Sequence, residues 1–203
     1  MNRILAAVSA AAIASAAPAG AAVLQVNGGG QLTGATGVTV GGSTYDVSFV
    51  DGTCSGLFGG CDNAAADFTF TTEADAQAAA LALLGQVLID GIDGQFDTNY
   101  ELTLGCALNN ASNCAVLIPF ATNGVGATVA QALNSPAQDT NVINASPAVG
   151  FDTTGQPNYV YALFTASTAA AVPEPSAWAM MLLGFAGIGL ALRRRRRTLT
   201  AAD

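Results

Sequence analysis

Histidine and lysine are absent from all 203 residues, and the six arginines are confined to Arg3 and Arg193 to Arg197. Without histidine there is no Ser/His/Asp or Cys/His nucleophile system, no H-E-x-x-H zinc site and no imidazole general acid. Without lysine there is no Schiff base and no phosphate-binding loop. Between Ala22 and Val172 positive charge is missing altogether. The acids there are Asp46, Asp51, Asp62, Asp67, Glu73, Asp75, Asp90, Asp93, Asp97, Glu101, Asp139 and Asp152. These twelve carboxylates with no base give the segment −12, where the whole chain sums to −8. Such a field repels nucleic acid, so no nucleic-acid partner is expected, and it repels anionic polysaccharide or lipid unless divalent cations bridge them. It also excludes salt bridges inside the segment, leaving burial, hydrogen bonds and disulfides to hold a fold. The only chemistry left is that of carboxylate pairs. A glycoside hydrolase needs two inward-pointing acids in one cleft, whereas this abundance reads as a solvated acidic surface, and no enzymatic activity is expected.

What is present begins at the two ends. Met1, Asn2 and Arg3 precede the apolar, alanine-rich run Ile4 to Ala17, and Ala19-Gly20-Ala21 supplies an A-x-A site. This is the pattern of a secretory signal peptide over residues 1–21, cleaved after Ala21 or Ala22. At the other end Val172, Pro173, Glu174, Pro175, Ser176, Ala177 and Trp178 lead into an uncharged stretch from Ala177 to Leu192, stopped by Arg193, Arg194, Arg195, Arg196 and Arg197. As a helix the 16 residues of 177–192 measure about 24 Å against about 30 Å of hydrocarbon. Local thinning, Trp178 at one interface and snorkelling arginines at the other close that gap, so a single transmembrane helix is expected. The arginine block fixes its C-terminal side in the cytoplasm.

The run Val172-Pro-Glu-Pro-Ser-Ala-Trp-Ala-Met-Met-Leu-Leu-Gly-Phe-Ala-Gly-Ile-Gly-Leu, followed by the five arginines, resembles the PEP-CTERM sorting domain, in the variant whose motif continues to a Trp-Ala pair. The resemblance covers residues 172–197. It implies a Gram-negative, exopolysaccharide-producing bacterium and recognition of Pro173, Glu174 and Pro175 by a membrane-embedded exosortase, which removes the helix and exports the passenger. The partners it implies are that exosortase and, for entry, the Sec translocon and signal peptidase. The route is an inner-membrane, single-pass stage followed by the cell surface or extracellular matrix. It identifies a delivery system and says nothing of the passenger's activity.

The passenger, residues 22–165 with a small-residue linker over 166–171, is long enough for one domain. Its cysteines fall in two local pairs. In an exported chain an even count reads as disulfides; of the three pairings, Cys54 with Cys61 and Cys106 with Cys114 is expected, and a four-thiolate zinc site would prefer tighter C-x2-C hooks. Val38 to Val40, Gly41-Gly42 and Thr44 to Val50 read as a β-hairpin. Asp67 to Thr71, Leu102 to Leu104, Ala115 to Phe120 and Tyr159 to Thr165 read as strands. Thr72, with Asp75 three residues on, caps a helix expected to run to about Ile89, its buried stripe formed by Leu81, Leu84 and Leu88 beside Ala80 and Val87. A weaker helix is expected at Ala127 to Leu133, and a loop over Ser135 to Pro157. The fold class is therefore α+β, a small disulfide-containing exported domain with several short strands and one main helix, followed by the transmembrane segment.

Two binding expectations remain. Asp90 and Glu101 stand at the first and last positions of a twelve-residue EF-hand frame, but Ile92, Gly94 and Gln95 occupy inner positions that need ligands or glycine. That leaves an irregular calcium site through Asp90, Asp93 and Asp97, set against a plain turn; no other cofactor is expected. A shallow aromatic platform for carbohydrate would have to come from Tyr45, Phe49, Tyr159 and Tyr161. Asn110-Ala-Ser112 and Asn144-Ala-Ser146 fit the glycosylation acceptor pattern and read, in a bacterium, as loop asparagines. The reading is a non-catalytic component of the cell surface or exopolysaccharide matrix, with a calcium-assisted carbohydrate-binding module as the alternative.

The charge count generates a test. A domain of twelve acids and no base repels itself, and the Debye length falls from about 30 Å at 0.01 M salt to about 10 Å at 0.1 M. Its melting temperature should rise with sodium chloride, and a melting temperature indifferent to salt would show the acids too dispersed to matter.

Overall fold

The computed structural model describes residues 21–144 and 147–167, together with Phe185. Most of the expected signal peptide lies outside the described residues, as do the sorting motif, the arginine block and, Phe185 apart, the 177–192 helix. No helix among the described residues is long and apolar enough to cross a membrane. The compact unit spans Gly20–Thr168 and is α+β.

Seven strands form one sheet: β1 (Val23–Val26), β2 (Leu32–Val40), β3 (Ser43–Val50), β6 (Cys114–Thr122), β7 (Ala127–Asn134), β8 (Thr140–Asn144) and β9 (Tyr159–Ala166). Their order is β1-β2-β3-β9-β6-β7-β8, antiparallel except for β6 with β9. A ribbon of β4 (Asp90–Gly91) and β5 (Gly94–Gln95) stands apart. The β2–β3 hairpin closes on Gly41 and Gly42 at φ 57° and 86°. A two-residue hairpin turn whose twist matches the strands needs positive φ at both central positions, which glycine adopts without steric cost.

Alternation along the strands sends side chains to two covered faces. Val47, Phe49, Val116, Ile118, Ala130, Val160 and Ala162 bury against the main helix α3 (Glu73–Gln86), while Ala115, Leu117, Val129 and Tyr161 bury on the other face. There the short helices α1 (Cys54–Leu57) and α2 (Ala64–Asp67) lie, with the Cys54–Cys61 disulfide. The second disulfide joins Cys106 to Cys114, where β6 begins. Both pairings are the local ones that the spacing favours, and no described cysteine is free.

Thr72 caps α3 as expected, its hydroxyl oxygen accepting the Asp75 N–H at 3.2 Å and its hydroxyl donating to the Asp75 carboxylate at 2.7 Å. The helix ends earlier than expected, at Gln86; of the expected stripe Ala80, Val87 and Leu88 are buried and Leu84 packs against the core, but Leu81 faces out. Leu81 is 58% exposed, while Ala76, Ala79, Ala80 and Leu83 are buried. Leucine is the more hydrophobic choice, but α3 lies on Ala130 and Ala132, and alanine facing alanine lets helix and sheet approach closely. Beyond the helix the Gln86 side chain donates to the Thr39 carbonyl at 2.9 Å and accepts the Thr39 N–H at 3.0 Å. It thereby pairs the backbone of β2 beyond Thr36, the last residue that β1 reaches.

Four other expectations are corrected. Ala127 to Leu133 is strand β7, because pairing with β6 and β8 on its two sides overrides the helix preference of alanine. The Ser135 to Pro157 stretch contains β8, an edge strand built on Thr140, Val142 and Ile143. Leu102 to Leu104 is the end of a 3-10 turn (Tyr100–Leu102) and a single bridge from Thr103 to Leu32. Asp67 to Thr71 is no ladder strand: Asp67 ends α2, and the following residues carry the chain across the sheet. Phe68 packs on the α2 face and Phe70 on the α3 face, and the Thr69 hydroxyl donates to the Phe164 carbonyl at 2.6 Å.

Pro119 explains where that crossing can occur. The Ala115 N–H points toward β9, donating to the Asn158 carbonyl at 2.9 Å. Strand periodicity aims the backbone nitrogens of residues 117 and 119 the same way, and a proline there has no hydrogen to give. The β6–β9 pairing stops at Leu117 with Tyr161, while β9 continues against β3 and β6 against β7.

Gly34 supplies a test of the β2–β3 ladder. A methyl group at this position would run into the Val47 carbonyl oxygen and lie 3.1 Å from the Ser48 Cα, and both obstacles are backbone. Gly34→Ala in the full-length chain should cost about 2–4 kcal/mol of unfolding free energy, measured by denaturant titration; an unchanged midpoint would show the ladder to be soft there.

Candidate functional site

The loop between α3 and β6 carries the densest acids, and its geometry is decided by one of them. The Asp90 Oδ1 accepts the N–H groups of Asp97 at 3.0 Å and Thr98 at 3.1 Å, and its Oδ2 accepts the Thr98 hydroxyl at 3.0 Å. The Thr98 N–H, with the hydroxyl and the Asp97 N–H behind it, holds the Asp90 carboxyl below the usual carboxylate range. The β4–β5 turn then places Ile92 fully in solvent next to Asp93.

The structure does not bring together the three acids of the calcium expectation, Asp90, Asp93 and Asp97. Among the described residues no three acidic or cysteine side chains come together in a way that holds a metal ion. Asp90 turns its oxygens to backbone donors inside the loop. Asp97 has a different acidic neighbour, Asp139, whose carboxyl burial raises above its ordinary value and Asp97 raises further, against the opposing pull of the Ser135 N–H that it accepts at 3.0 Å.

A second acidic locus escaped sequence reasoning. Thr153, buried, donates its hydroxyl to Asp51 at 2.9 Å and accepts the Gly52 N–H at 3.0 Å, and its own N–H donates to the Gly52 carbonyl at 3.0 Å. Burial pushes the Asp51 carboxyl up, with Thr153 opposing and nearby Asp152 reinforcing. This closed ring fastens the end of β3 to the loop before β9. Nothing local in the sequence marks a partnership 102 residues apart. Its chemistry is that of a staple: Asp51 is tied to a hydroxyl that is itself committed to backbone.

The aromatic platform is corrected as well. Phe49 and Tyr161 are buried, and the Tyr161 hydroxyl is pushed up to about 12 by burial and by Asp152. Tyr45 packs with Phe49 on the α3 face, edge-on to Phe70 at 5.2 Å, whereas Tyr159 packs with Tyr161 on the opposite face, edge-on to Phe151 at 5.7 Å. Four rings divided between two faces of one sheet make no common surface for a sugar. Of the two acceptor-like triplets, Asn110 to Ser112 is an exposed turn; Ala145 and Ser146 of the other lie outside the described residues.

Pro173, Glu174, Pro175, Trp178 and Arg193 to Arg197 also lie outside the described residues, so what identifies the tail is its sequence. It defines an exported protein with a C-terminal sorting signal. Residues 171–196 match the PEP-CTERM protein-sorting motif. The motif implies an exosortase as sorting partner, and membrane-anchored sorting followed by export to the surface. No curated protein matches the chain, and no solved structure does.

The raised Asp139 carboxyl has a testable sign. A carboxyl that keeps its proton longer in the folded than in the unfolded chain favours folding at low pH and weakens it as pH rises through the folded pKa. Asparagine retains the acceptor for Ser135 and has no charge to oppose Asp97. Asp139→Asn should raise the melting temperature by about 1–3 °C at neutral pH and leave it unchanged below the ordinary carboxylate range, which thermal melts across pH would check.

Proposed function

We propose that this protein is a non-catalytic component of the cell surface or exopolysaccharide matrix, delivered through exosortase sorting. The chain enters by the Sec translocon and loses its signal peptide after Ala21 or Ala22. It is held by the 177–192 helix with Arg193 to Arg197 in the cytoplasm, and is released at Pro173 to Pro175. The observation that carries this reading is the sorting motif over residues 171–196. Two features of the passenger support it. The domain has neither histidine nor lysine, and two of its carboxylates, Asp51 and Asp90, are bound up in staples. Its ends also suit a chain tethered twice: Val23 pairs with Thr36 and Ala166 with Tyr45, so both ends leave the sheet at the Gly41-Gly42 hairpin end. The carbohydrate-binding alternative has lost its platform and no observation favours it.

The test follows the product. The released form should end near Pro173 to Pro175, lack Trp178, and fractionate with the matrix. Glu174→Ala should retain the protein in the inner membrane with Trp178 still attached, as read by fractionation and intact mass. Undiminished release of that variant would overturn the sorting reading.

A further inference from the structure

Two Asn-Gly steps occur in the chain, Asn27-Gly28 in the β1–β2 turn and Asn123-Gly124 in the β6–β7 turn, and both are solvent-exposed. They differ at one atom. In each, the asparagine Oδ1 accepts two backbone N–H groups: Gly29 at 2.9 Å and Gln31 at 3.0 Å for Asn27, Val125 at 3.0 Å and Gly126 at 2.8 Å for Asn123. Two donors aimed at an amide oxygen stabilise negative charge developing there, so both side chains are polarised toward attack at Cγ. The nucleophile in each case is the following glycine nitrogen. The Gly124 N–H is engaged by the Thr122 Oγ1 at 3.0 Å, whereas the Gly28 N–H meets no acceptor among the described residues and is open to water.

We propose that Asn27 is a self-modification site of the mature protein, converting to aspartate and isoaspartate with no enzyme, while Asn123 is held back by Thr122. The Gly28 nitrogen, giving its proton to water, bonds to the Asn27 Cγ and the carbonyl electrons move onto Oδ1, between the Gly29 and Gln31 donors. Collapse of that intermediate breaks the Cγ–Nδ2 bond, and the nitrogen takes up a proton and leaves as ammonia. Water then opens the resulting cyclic imide at one carbonyl to give aspartate or at the other to give isoaspartate. No oxidant, reductant or other reagent enters.

The two products differ in consequence. Aspartate presents the same oxygen to Gly29 and Gln31 and adds one more negative charge to a domain that holds no positive one. Isoaspartate routes the main chain through the side-chain carbon and displaces the two backbone bonds that close the turn, Asn27 N–H to Gln31 at 2.9 Å and Gly30 N–H to Asn27 at 3.0 Å. In the sheet β1 pairs with β2 alone, so this product loosens the outermost strand at its turn end, opposite the end that follows the signal peptide.

The experiment incubates full-length protein in detergent at neutral to mildly alkaline pH and follows both sites by peptide mapping, with electron-transfer fragmentation to separate aspartate from isoaspartate. Asn27 should convert several-fold faster than Asn123 in the native protein, and the two rates should converge in urea. Thr122→Ala should accelerate Asn123 alone. Native conversion of Asn27 no faster than that of Asn123, or a ratio that urea leaves unchanged, would overturn the proposal.

Discussion

Everything in this fold answers to one constraint, the absence of any cation to set against its carboxylates. A domain with both signs of charge ties its loops down with ion pairs; this one uses its acids as acceptors for its own main chain and hydroxyls. Asp46 takes the N–H of Gly37, Asp67 those of Asp62 and Asn63, Asp90 those of Asp97 and Thr98, Asp139 that of Ser135, and Asp152 that of Thr154. Asp51 and Asp75 take threonine hydroxyls. Charge-assisted bonds of this kind are stronger than neutral ones and need no partner side chain. Neutral amides serve the same end where a donor is needed: Gln86 both donates to and accepts from Thr39, and the Asn109 Nδ2 donates to three carbonyls around the Cys106–Cys114 loop.

How much of this could be read in advance follows from the range of each interaction. The β2–β3 hairpin, the α3 cap and both cysteine pairs depend on residues within a few positions of one another, and their chemistry is explicit in the chain. Ala80, Leu84, Val87 and Leu88 are legible as the inner face of α3, but Leu81 is not legible as outer, because hydrophobicity ranks it above Ala76 and Ala79, whereas Ala130 and Ala132 of a distant strand favour small residues at the contact. Residues 127 to 133 alternate and are rich in alanine at once, and only the neighbours β6 and β8 resolve that ambiguity. The acids were legible as a count and illegible as a pattern. An aspartate that accepts two N–H groups seven and eight residues on looks, in sequence, the same as one left in water.

The sorting signal and the passenger divide the molecule along the same line. The tail is recognised through short contiguous chemistry, a Pro-Glu-Pro step, an apolar run and a basic stop, so its sequence is enough. The passenger is organised by long-range contacts: the Asp51–Thr153 staple, the Thr69–Phe164 bond and the parallel pairing of β6 with β9. Short-range signals therefore speak for the address and long-range ones for the cargo, and a chain read alone is fluent only in the first.

The place of β9 in the sheet has a mechanical consequence. Among the described residues it is the last strand, and it lies between β3 and β6 in the sheet order, while β1, the first, lies at the sheet's edge. Tension arriving from the C-terminal side meets Tyr161 to Ala166 paired with β3, with the Thr69 hydroxyl on the Phe164 carbonyl and the Ser167 N–H on the Thr44 carbonyl as added fastenings, and behind them Tyr159 to Tyr161 paired with β6. Tension arriving through the N-terminus meets a strand with a single neighbour, which can peel rung by rung. The domain thus has a firmer handle and a weaker one, and the firmer is the end that leads into the sorting motif.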